Sequence, residues 1–321
     1  MAVYTDVSDE ALSAFLEEYE IGGLVAFRGI AEGVENSNFV LRTTQGDFIL
    51  TLYEKRVNRD DLPWFLGFMR HLSAHGLSCP TPVVGRNGEA LRELAGRPAA
   101  ITTFLPGVWP RRVHLYHCRA LGEAMAHLHR AGEAYVPVRR NGLGAESWGP
   151  LLEACRAQGD RVHPGLVAEV SAALDGVLRN WPAEGALPVG HIHADLFPDN
   201  VFFLDRAVSG VIDFYFACTD MLAYDIAICL NAWCFEMDGS FNVTRARLLV
   251  AGYESVRPLT AAERASLPVL ARGAALRFLL TRLYDWINTP PDAMVTRKDP
   301  RDYLHRLRFH LQADGPGAYG L

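Results

Sequence analysis

Early in the chain the hydrophobic pattern changes from that of strands to that of helices, and this change limits the folds that the sequence can adopt. Two short apolar runs at 39–43 and 48–53 suit extended strands and flank a Gln-Gly-Asp turn, which predicts a β-hairpin. Later segments such as 119–131 and 166–181 instead carry apolar residues at helical spacing. The chain is therefore expected to combine a sheet with a helical region instead of belonging to one class.

We predict an α+β fold with two lobes. The smaller, antiparallel β-rich lobe is expected over 1–103 and the larger, mainly helical lobe over 104–321, with a hinge near 102–107. Clefts between lobes are where small molecules usually bind. In the helical lobe, the capping-box pattern at 260–263 precedes a long helix that we expect to start near Pro268.

The composition disfavours several classes of protein. The formal net charge of −6 gives no general attraction to nucleic acid or to an anionic membrane. The six cysteines form no CxxC pair, as expected for reduced thiols in a cytosol. The N-terminal pattern is not that of a signal peptide, and the sequence has no apolar run of about 18 residues. We expect a cytoplasmic globular protein.

Two nearby motifs concentrate acidic and amide side chains. Residues 193–200 read HADLFPDN, and residues 211–214 read VIDF. Such motifs can be structural turns, or they can serve phosphoryl transfer from ATP. That reaction needs oxygen ligands that hold Mg²⁺ on the phosphates and a carboxylate that accepts the hydroxyl proton. The spacing allows one loop to carry the base and one metal ligand, and the following hairpin to supply the second ligand.

These motifs resemble the choline kinase and aminoglycoside phosphotransferase family, whose fold is that of the protein kinases. The family pattern H-x-D-x-x-x-x-N is matched by His193, Asp195 and Asn200, and its hydrophobic-Asp-Phe strand is matched at Asp213. The resemblance implies that Asp195 is the catalytic base and that His193 orients the loop. It also implies that Asn200 and Asp213 bind Mg²⁺.

Further segments extend the resemblance over nearly the whole chain. DMLAYDIA at 220–227 is similar to the family segment whose second acid supports the catalytic loop, and LHRAG at 128–132 to the end of the interlobe helix. Within the family, GAALRFLLTRLYDW at 273–286 is similar to the homoserine kinases built on this fold.

The resemblance also implies an ATP site in the first lobe. GVENSNF at 33–39 resembles the hairpin that covers the phosphates, and the backbone near Thr103 is expected to contact adenine. The nucleotide contacts that we expect are Gly33, Asn36, Ser37, Asn38, Thr51, Lys55 and Thr103.

One position departs from the family pattern. The lysine that the family places over the ATP phosphates aligns with Thr51, and threonine cannot donate a positive charge to phosphate oxygens. Either Lys55 or a nearby arginine (28, 42 or 56) takes its place, or Mg²⁺ and backbone amides suffice.

The charge balance near the C-terminus indicates the kind of acceptor. Between 272 and 308 the chain has eight Arg or Lys residues, four Asp and no Glu. This balance suits a substrate with a carboxylate, which arginine binds bidentately. L-Homoserine has an ammonium, a carboxylate and a hydroxyl. We expect Arg277 or Arg282 to bind the carboxylate and Asp285 or Asp225 to bind the ammonium. The product is then O-phospho-L-homoserine, an intermediate on the route to threonine.

Other functions remain open at this point. The acceptor could be choline, ethanolamine or an aminoglycoside. The threonine at position 51 is compatible with a catalytically inactive, nucleotide-binding regulator. His191, His193 and Asp195 also resemble the start of a metallohydrolase site, although only His305 and His310 follow as further histidines. The few residues between Asp213 and the next helix leave no room for the long activation loop of a protein kinase.

Overall fold

A computed structural model of the chain describes residues 5–30, 36–54, 58–289 and 297–321. Contacts within the chain divide it into two compact units. The first comprises 1–107 and 209–215, and the second comprises 108–208 and 216–321. The first unit is β-rich and the second mainly helical, so the predicted α+β class is confirmed.

The first unit is built on a five-stranded antiparallel sheet. Its elements in chain order are α1 (Asp9–Leu16), β1 (Leu24–Gly29), β2 (Ser37–Thr43), β3 (Gly46–Leu52), α2 (Leu62–Ala74), β4 (Arg92–Leu94) and β5 (Arg97–Thr103). The strand order in the sheet is β1-β2-β3-β5-β4. The predicted hairpin is β2–β3, in which Thr43 pairs with Gly46 across a two-residue turn.

One face of this sheet forms a core with α1. Alternate residues of the hairpin, Phe39 and Leu41 on β2 and Leu50 and Leu52 on β3, are buried in one cluster with apolar side chains of α1. Strand side chains alternate between faces, so a period of two in the sequence becomes one buried face. Helix α1 begins where the side chain of Ser8 accepts a hydrogen bond from a backbone N–H in the first turn.

The second unit carries most of the helices. The remaining elements are α3 (Leu115–Gly132), α4 (Ala145–Cys155), α5 (Leu166–Asn180), β6 (Val189–Ile192), β7 (Val201–Leu204), β8 (Ala207–Val211), β9 (Cys218–Met221), α6 (Leu222–Trp233), α7 (Val243–Glu254), α8 (Ala261–Asn288) and α9 (Arg301–Gln312). Strand β6 pairs antiparallel with β9. Residues 207–208 of β8 belong to the second unit, and its residues 209–211 belong to the first. Among the described residues, every helix is too short or too polar to cross a membrane.

The 28-residue helix α8 begins earlier than we predicted. The capping box forms as expected: Thr260 Oγ1 accepts the N–H of Glu263 at 3.1 Å, and the Glu263 carboxylate accepts the N–H of Thr260 at 2.9 Å. Pro268, the predicted start, lies inside the helix. A proline there removes one helical hydrogen bond, but packing of a buried face outweighs this loss when most of the helix is in the core.

Helices α3 and α7 approach each other closely through two glycines. A Cβ on Gly122 would overlap the backbone carbonyl of Leu249, and a Cβ on Gly252 would overlap the backbone carbonyl of Arg119. Only glycine fits both positions, because a backbone carbonyl cannot turn aside as a flexible side chain does. Next to this crossing, His129 on α3 lies within hydrogen-bonding distance of Tyr253 on α7.

Gly122→Ala is therefore expected to destabilise the protein by about 1–3 kcal/mol through overpacking of the α3–α7 crossing. Gly176→Ala on α5 is the matched control, since the nearest atom to a Cβ there is a flexible arginine end at 4.0 Å. This control should be neutral, or stabilising by up to about 1 kcal/mol from helix propensity. The free energy of unfolding of both variants measures the difference, and equal effects would contradict the close crossing.

Candidate active site

The loop that follows β6 brings together three residues that the sequence predicted. The side-chain amide of Asn200 donates to the backbone carbonyl of Asp195 at 2.8 Å and to its carboxylate at 3.2 Å. The N–H of Asp195 donates to Nδ1 of His193 at 3.3 Å. His193 is fully buried and Asp195 is half-buried. His193, Asp195 and Asn200 therefore form one hydrogen-bonded loop.

The electrostatic surroundings of Asp195 prepare it to accept a proton. Burial raises the pKa of this carboxyl to about 6, although the positive charges of Arg277 and Lys298 lower it. The negative charge of Asp199 adds to the rise, and the hydrogen bond from Asn200 opposes it. A pKa just below neutrality leaves the carboxylate ionised at neutral pH and close to the optimum for a general base.

Asp225, in the first turn of α6, is hydrogen-bonded through its carboxylate to the backbone of this loop. Its carboxylate accepts the N–H groups of His193 and Ala194, each at 2.8 Å, and lies 3.0 Å from Nε2 of His129. Burial raises the pKa of Asp225, but the bonds with His129 and His193 prevail, so that its pKa lies below the ordinary value. The predicted contact with a substrate ammonium is wrong, because this side chain is fully buried and both its oxygens are engaged.

Arg277, near the middle of α8, also contacts the loop. Its Nη1 donates to the backbone carbonyl of Ala194, and its guanidinium lies 4.4 Å from the ring centre of Phe278. The side chain is only 1% exposed. Our prediction that Arg277 binds a substrate carboxylate is therefore wrong, since a ligand cannot reach the guanidinium.

The two other predicted substrate residues lie further along α8. The guanidinium of Arg282 stacks over the ring of Tyr303 at 4.5 Å and lies 3.4 Å from the carboxylate of Asp302. Burial lowers its pKa, while the carboxylates of Asp302 and Asp195 act in the opposite direction. Asp285 is half-buried, one turn from the end of the helix. Both roles remain predictions.

Several predicted nucleotide contacts are engaged inside the first unit. The hydroxyl of Thr51 donates to the side chain of Asn38 at 2.8 Å. The hydroxyl of Ser37 donates to Glu54 at 2.8 Å, and the side-chain oxygen of Asn36 accepts the N–H of Glu54 at 3.3 Å. Because these groups hold β2 against the end of β3, a nucleotide would have to share them or displace their present partners.

The other predicted nucleotide contacts are Thr103, Gly33 and Lys55. Thr103 exchanges hydrogen bonds with Thr81 at the end of β5: its N–H and its hydroxyl oxygen are both engaged, at 3.0 Å each. Gly33 and Lys55 lie outside the described residues. Arg42, one of the alternatives to the missing lysine, pairs instead with Asp47 at 3.0 Å on the exposed hairpin.

Asp213 lies in the segment 209–215 of the first unit and has an unusual backbone. Its φ is +66°, a conformation that non-glycine residues rarely adopt and that often marks functional sites. Two residues on, the hydroxyl of Tyr215 lies 2.9 Å from that of Tyr53. Burial raises the pKa of Tyr215 to about 12, and the Asp213 carboxylate contributes to the rise. Asp213 therefore lies near a pair of neutral hydroxyl groups.

Sequence reasoning missed a buried side-chain network behind the loop. Nδ1 of His129 on α3 lies 2.8 Å from the hydroxyl of Tyr253. Arg257 donates to that hydroxyl at 3.2 Å and to Glu263 at 2.9 Å. The LHRAG motif pointed to His129 and the capping box to Glu263, but neither signal reveals that one chain of contacts joins them.

The metallohydrolase alternative finds no support in the described residues. Both ring nitrogens of His191 are engaged, with Thr219 at 3.0 Å and with the backbone carbonyl of Tyr135 at 2.7 Å. In the described part of the chain, no three His, Cys, Asp or Glu side chains are placed to hold a metal ion.

The fold is similar to that of several solved phosphotransferases. The amicoumacin kinase hAmiN, solved in complex with AMP-PNP, Ca²⁺ and Ami, has a TM-score of 0.73 at 16% identity, over 96% of this chain and 95% of its own. A choline kinase from Cryptosporidium parvum has a TM-score of 0.67 at 15% identity, over 95% of both chains. At these identities the likeness shows the fold alone.

Several relatives are far more similar in sequence to this chain than these solved structures are. The chain is 71% identical to the homoserine kinase of Gluconacetobacter diazotrophicus and 68% identical to that of Granulibacter bethesdensis, over 321 residues and the full length of both relatives. It is 63% identical to the homoserine kinase of Rhodospirillum rubrum, over all of this chain and 99% of the relative. The model of the phosphotransferase enzyme family matches residues 26–259. The chain therefore belongs to the phosphotransferase enzyme family.

Proposed function

We propose that this chain is a homoserine kinase, which transfers the γ-phosphoryl group of ATP to the hydroxyl of L-homoserine. The product is O-phospho-L-homoserine, an intermediate on the route to threonine. The observation that carries the proposal is the Asp195 carboxylate, bonded to Asn200 on a loop fixed by Asp225, with a pKa of about 6. The choice of acceptor rests on full-length relatives at 60–71% identity that are named homoserine kinases.

Asp195 is the proposed general base. The hydroxyl of the acceptor donates its proton to the Asp195 carboxylate as its oxygen bonds to the γ-phosphorus, and ADP leaves. Asn200 holds the carboxylate through one oxygen, and this leaves the other free to face the substrate. His193 supports the same loop by accepting the N–H of Asp195. A positioned base contributes about 10²–10⁴ in rate.

Asn200 and Asp213 are the proposed Mg²⁺ ligands. The amide nitrogen of Asn200 is engaged by Asp195, so its carbonyl oxygen is the atom that remains for a cation. An amide oxygen and a carboxylate are the hard donors that Mg²⁺ prefers. When bound, the ion neutralises charge on the phosphates of ATP.

Arg282 and Lys298 are the cations that we propose to bind the substrate carboxylate. Lys298 lies 5.4 Å from the ring of Phe197 in the catalytic loop, and its charge acts on Asp195. Arg282 also interacts electrostatically with Asp195 and is accessible where Arg277 is not. In L-homoserine only a short carbon chain separates the hydroxyl from the carboxylate, so the two ends can meet the base and these cations together. Asp285 remains the proposed partner of the ammonium.

The acceptor can be tested with a panel of alcohols. ADP release from ATP and Mg²⁺ should depend on L-homoserine, and it should be far slower with choline, ethanolamine, methylthioribose or kanamycin. ³¹P NMR should show a phosphomonoester on the homoserine side chain. A preference for another alcohol would exclude homoserine as the acceptor, and absence of turnover with every alcohol would favour the inactive nucleotide-binding regulator.

Asp195→Ala should lower kcat by about 10²–10⁴, because it removes the base without changing the phosphate contacts. ATP binding, measured by calorimetry, and the free energy of unfolding should stay near the wild-type values. Asp199→Ala is the control: this neighbouring exposed carboxylate is not proposed to contact the substrate. Turnover of Asp195→Ala close to that of Asp199→Ala would show that Asp195 is not the base.

Arg282→Met should raise the KM for L-homoserine about 10- to 100-fold, the size expected for a lost charge-assisted hydrogen bond, and leave the KM for ATP unchanged. The preference for L-homoserine over 3-aminopropan-1-ol, which lacks the carboxylate, should shrink by the same factor. Arg308→Met is the control, since Arg308 pairs with Glu169 at 2.7 Å on the surface. An unchanged preference in Arg282→Met would remove Arg282 from the carboxylate site.

A further inference from the structure

Ala194, the residue between His193 and Asp195, has a strained backbone. Its φ is +62°, in the left-handed region that is favourable for glycine and unfavourable for every residue with a Cβ. The residue is fully buried. A strained conformation of this kind persists only where the surrounding structure holds it in place.

Both backbone polar groups of Ala194 are held by buried charged side chains. Its N–H donates to Asp225 on α6 at 2.8 Å, and its carbonyl accepts from Nη1 of Arg277 on α8. The two contacts therefore hold both the N–H and the carbonyl of the residue that directly precedes Asp195. The direction of the Asp195 side chain therefore depends on both contacts.

The hydrogen bond to Ala194 is the one polar contact that the Arg277 side chain makes with the described residues. Its guanidinium lies 4.4 Å from the ring centre of Phe278 and 5.6 Å from that of Phe216, and its Nε has no hydrogen-bond partner in the described part of the chain. Among the described residues, no carboxylate forms an ion pair with it. Burying a cation without an ion pair is costly, and the hydrogen bond to the loop, the aromatic rings and the nearby Asp195 carboxylate each offset part of that cost.

We propose that Arg277 is a positioning residue for phosphoryl transfer: by holding the carbonyl of Ala194 it keeps the strained conformation that aims the Asp195 carboxylate. The effect on turnover rests on the proposed function, whereas the effect on the loop does not. Without the donor, the backbone at Ala194 relaxes toward ordinary φ values and Asp195 turns with it. A misplacement of about 1 Å at a reacting group can lower the rate about 10²-fold.

The proposal makes a specific prediction about glycine at position 194. Glycine adopts the left-handed region without strain, so a loop with glycine there needs less support from Arg277. Ala194→Gly should therefore partly rescue Arg277→Met. A residue that only stabilises the protein as a whole would show no such dependence on the residue at 194.

Arg272 provides a matched control on the same helix. It also donates to backbone carbonyls, from Nε to His310 at 2.9 Å and from Nη2 to Ala313 at 2.8 Å, but it does not contact the loop. Arg272→Met removes an arginine-to-carbonyl support of the same chemical kind. It should lower stability and leave kcat unchanged.

The test compares the single variants Arg277→Met, Arg277→Lys, Arg272→Met and Ala194→Gly, and the double variant that joins Ala194→Gly to Arg277→Met. In Arg277→Met we expect kcat to fall about 10- to 100-fold, with both KM values within about threefold of the wild type. Arg277→Lys, which keeps a charged donor, should retain more activity. Relative to the Ala194→Gly baseline, the loss in the double variant should be about five- to tenfold smaller, because the strain is gone.

Three results would overturn the proposal. A raised KM for L-homoserine with unchanged kcat in Arg277→Met would make Arg277 a substrate ligand. An equal loss of kcat in Arg272→Met would make the effect one of general stability. An equal loss in kcat with either residue at 194 would show that Arg277 does not act through Ala194.

A second measurement separates this proposal from the proposed function. Amide hydrogen exchange at Ala194, Asp195 and Leu196 should accelerate in Arg277→Met and stay unchanged in Arg272→Met. If the wild type phosphorylates no alcohol, this exchange still tests whether Arg277 holds the loop. Unchanged exchange at these amides in Arg277→Met would contradict the proposal whatever the substrate.

Discussion

The Asp225 carboxylate is the interaction on which the candidate active site depends. It is fully buried, and an isolated carboxylate in such a place is far too costly to persist as a charge. Two backbone N–H groups of the loop and the ring of His129 surround it with hydrogen bonds. The two N–H groups also depend on the carboxylate, because without it they would be buried with no hydrogen-bond acceptor. Loss of the carboxylate would therefore release the loop and also leave its donors unsatisfied.

From this carboxylate a chain of polar side chains runs to the start of α8. His129 meets Tyr253, whose hydroxyl accepts from Arg257, and Arg257 pairs with Glu263 of the capping box. The close crossing of α3 and α7 through their glycines brings His129 and Tyr253 within hydrogen-bonding distance of each other. Buried networks of this kind rigidify a structure only when every member is satisfied. Helix α8 also contacts the loop directly, because Arg277 donates to the backbone carbonyl of Ala194.

The parts of the molecule that the sequence predicted correctly are those with local causes. The hairpin, the capping box at Thr260 and the α+β class each follow from spacing within a few residues. The resemblance at 220–227, and not local spacing, predicted that Asp225 supports the loop, and its contacts with His193 and Ala194 agree with that role. Asp225 and Arg277 were also assigned to the substrate, because helical periodicity does not reveal which face of a helix is buried. The contacts that correct this assignment join residues 31 and 83 positions apart. Pro268 misled the prediction of α8, because tertiary packing outweighs one lost hydrogen bond.

The distribution of charge bears on the kind of acceptor. At position 51, where the family pattern has a lysine, the chain has a buried threonine among the neutral hydroxyls of Tyr53 and Tyr215. Of the three charged side chains that act most strongly on Asp195, two are positive, Arg277 and Lys298, and one is negative, Asp199. A polycationic acceptor would add to this excess and be repelled. An acceptor that brings its own carboxylate supplies negative charge that the exposed Lys298 can pair with, in agreement with the amino-acid substrate proposed above.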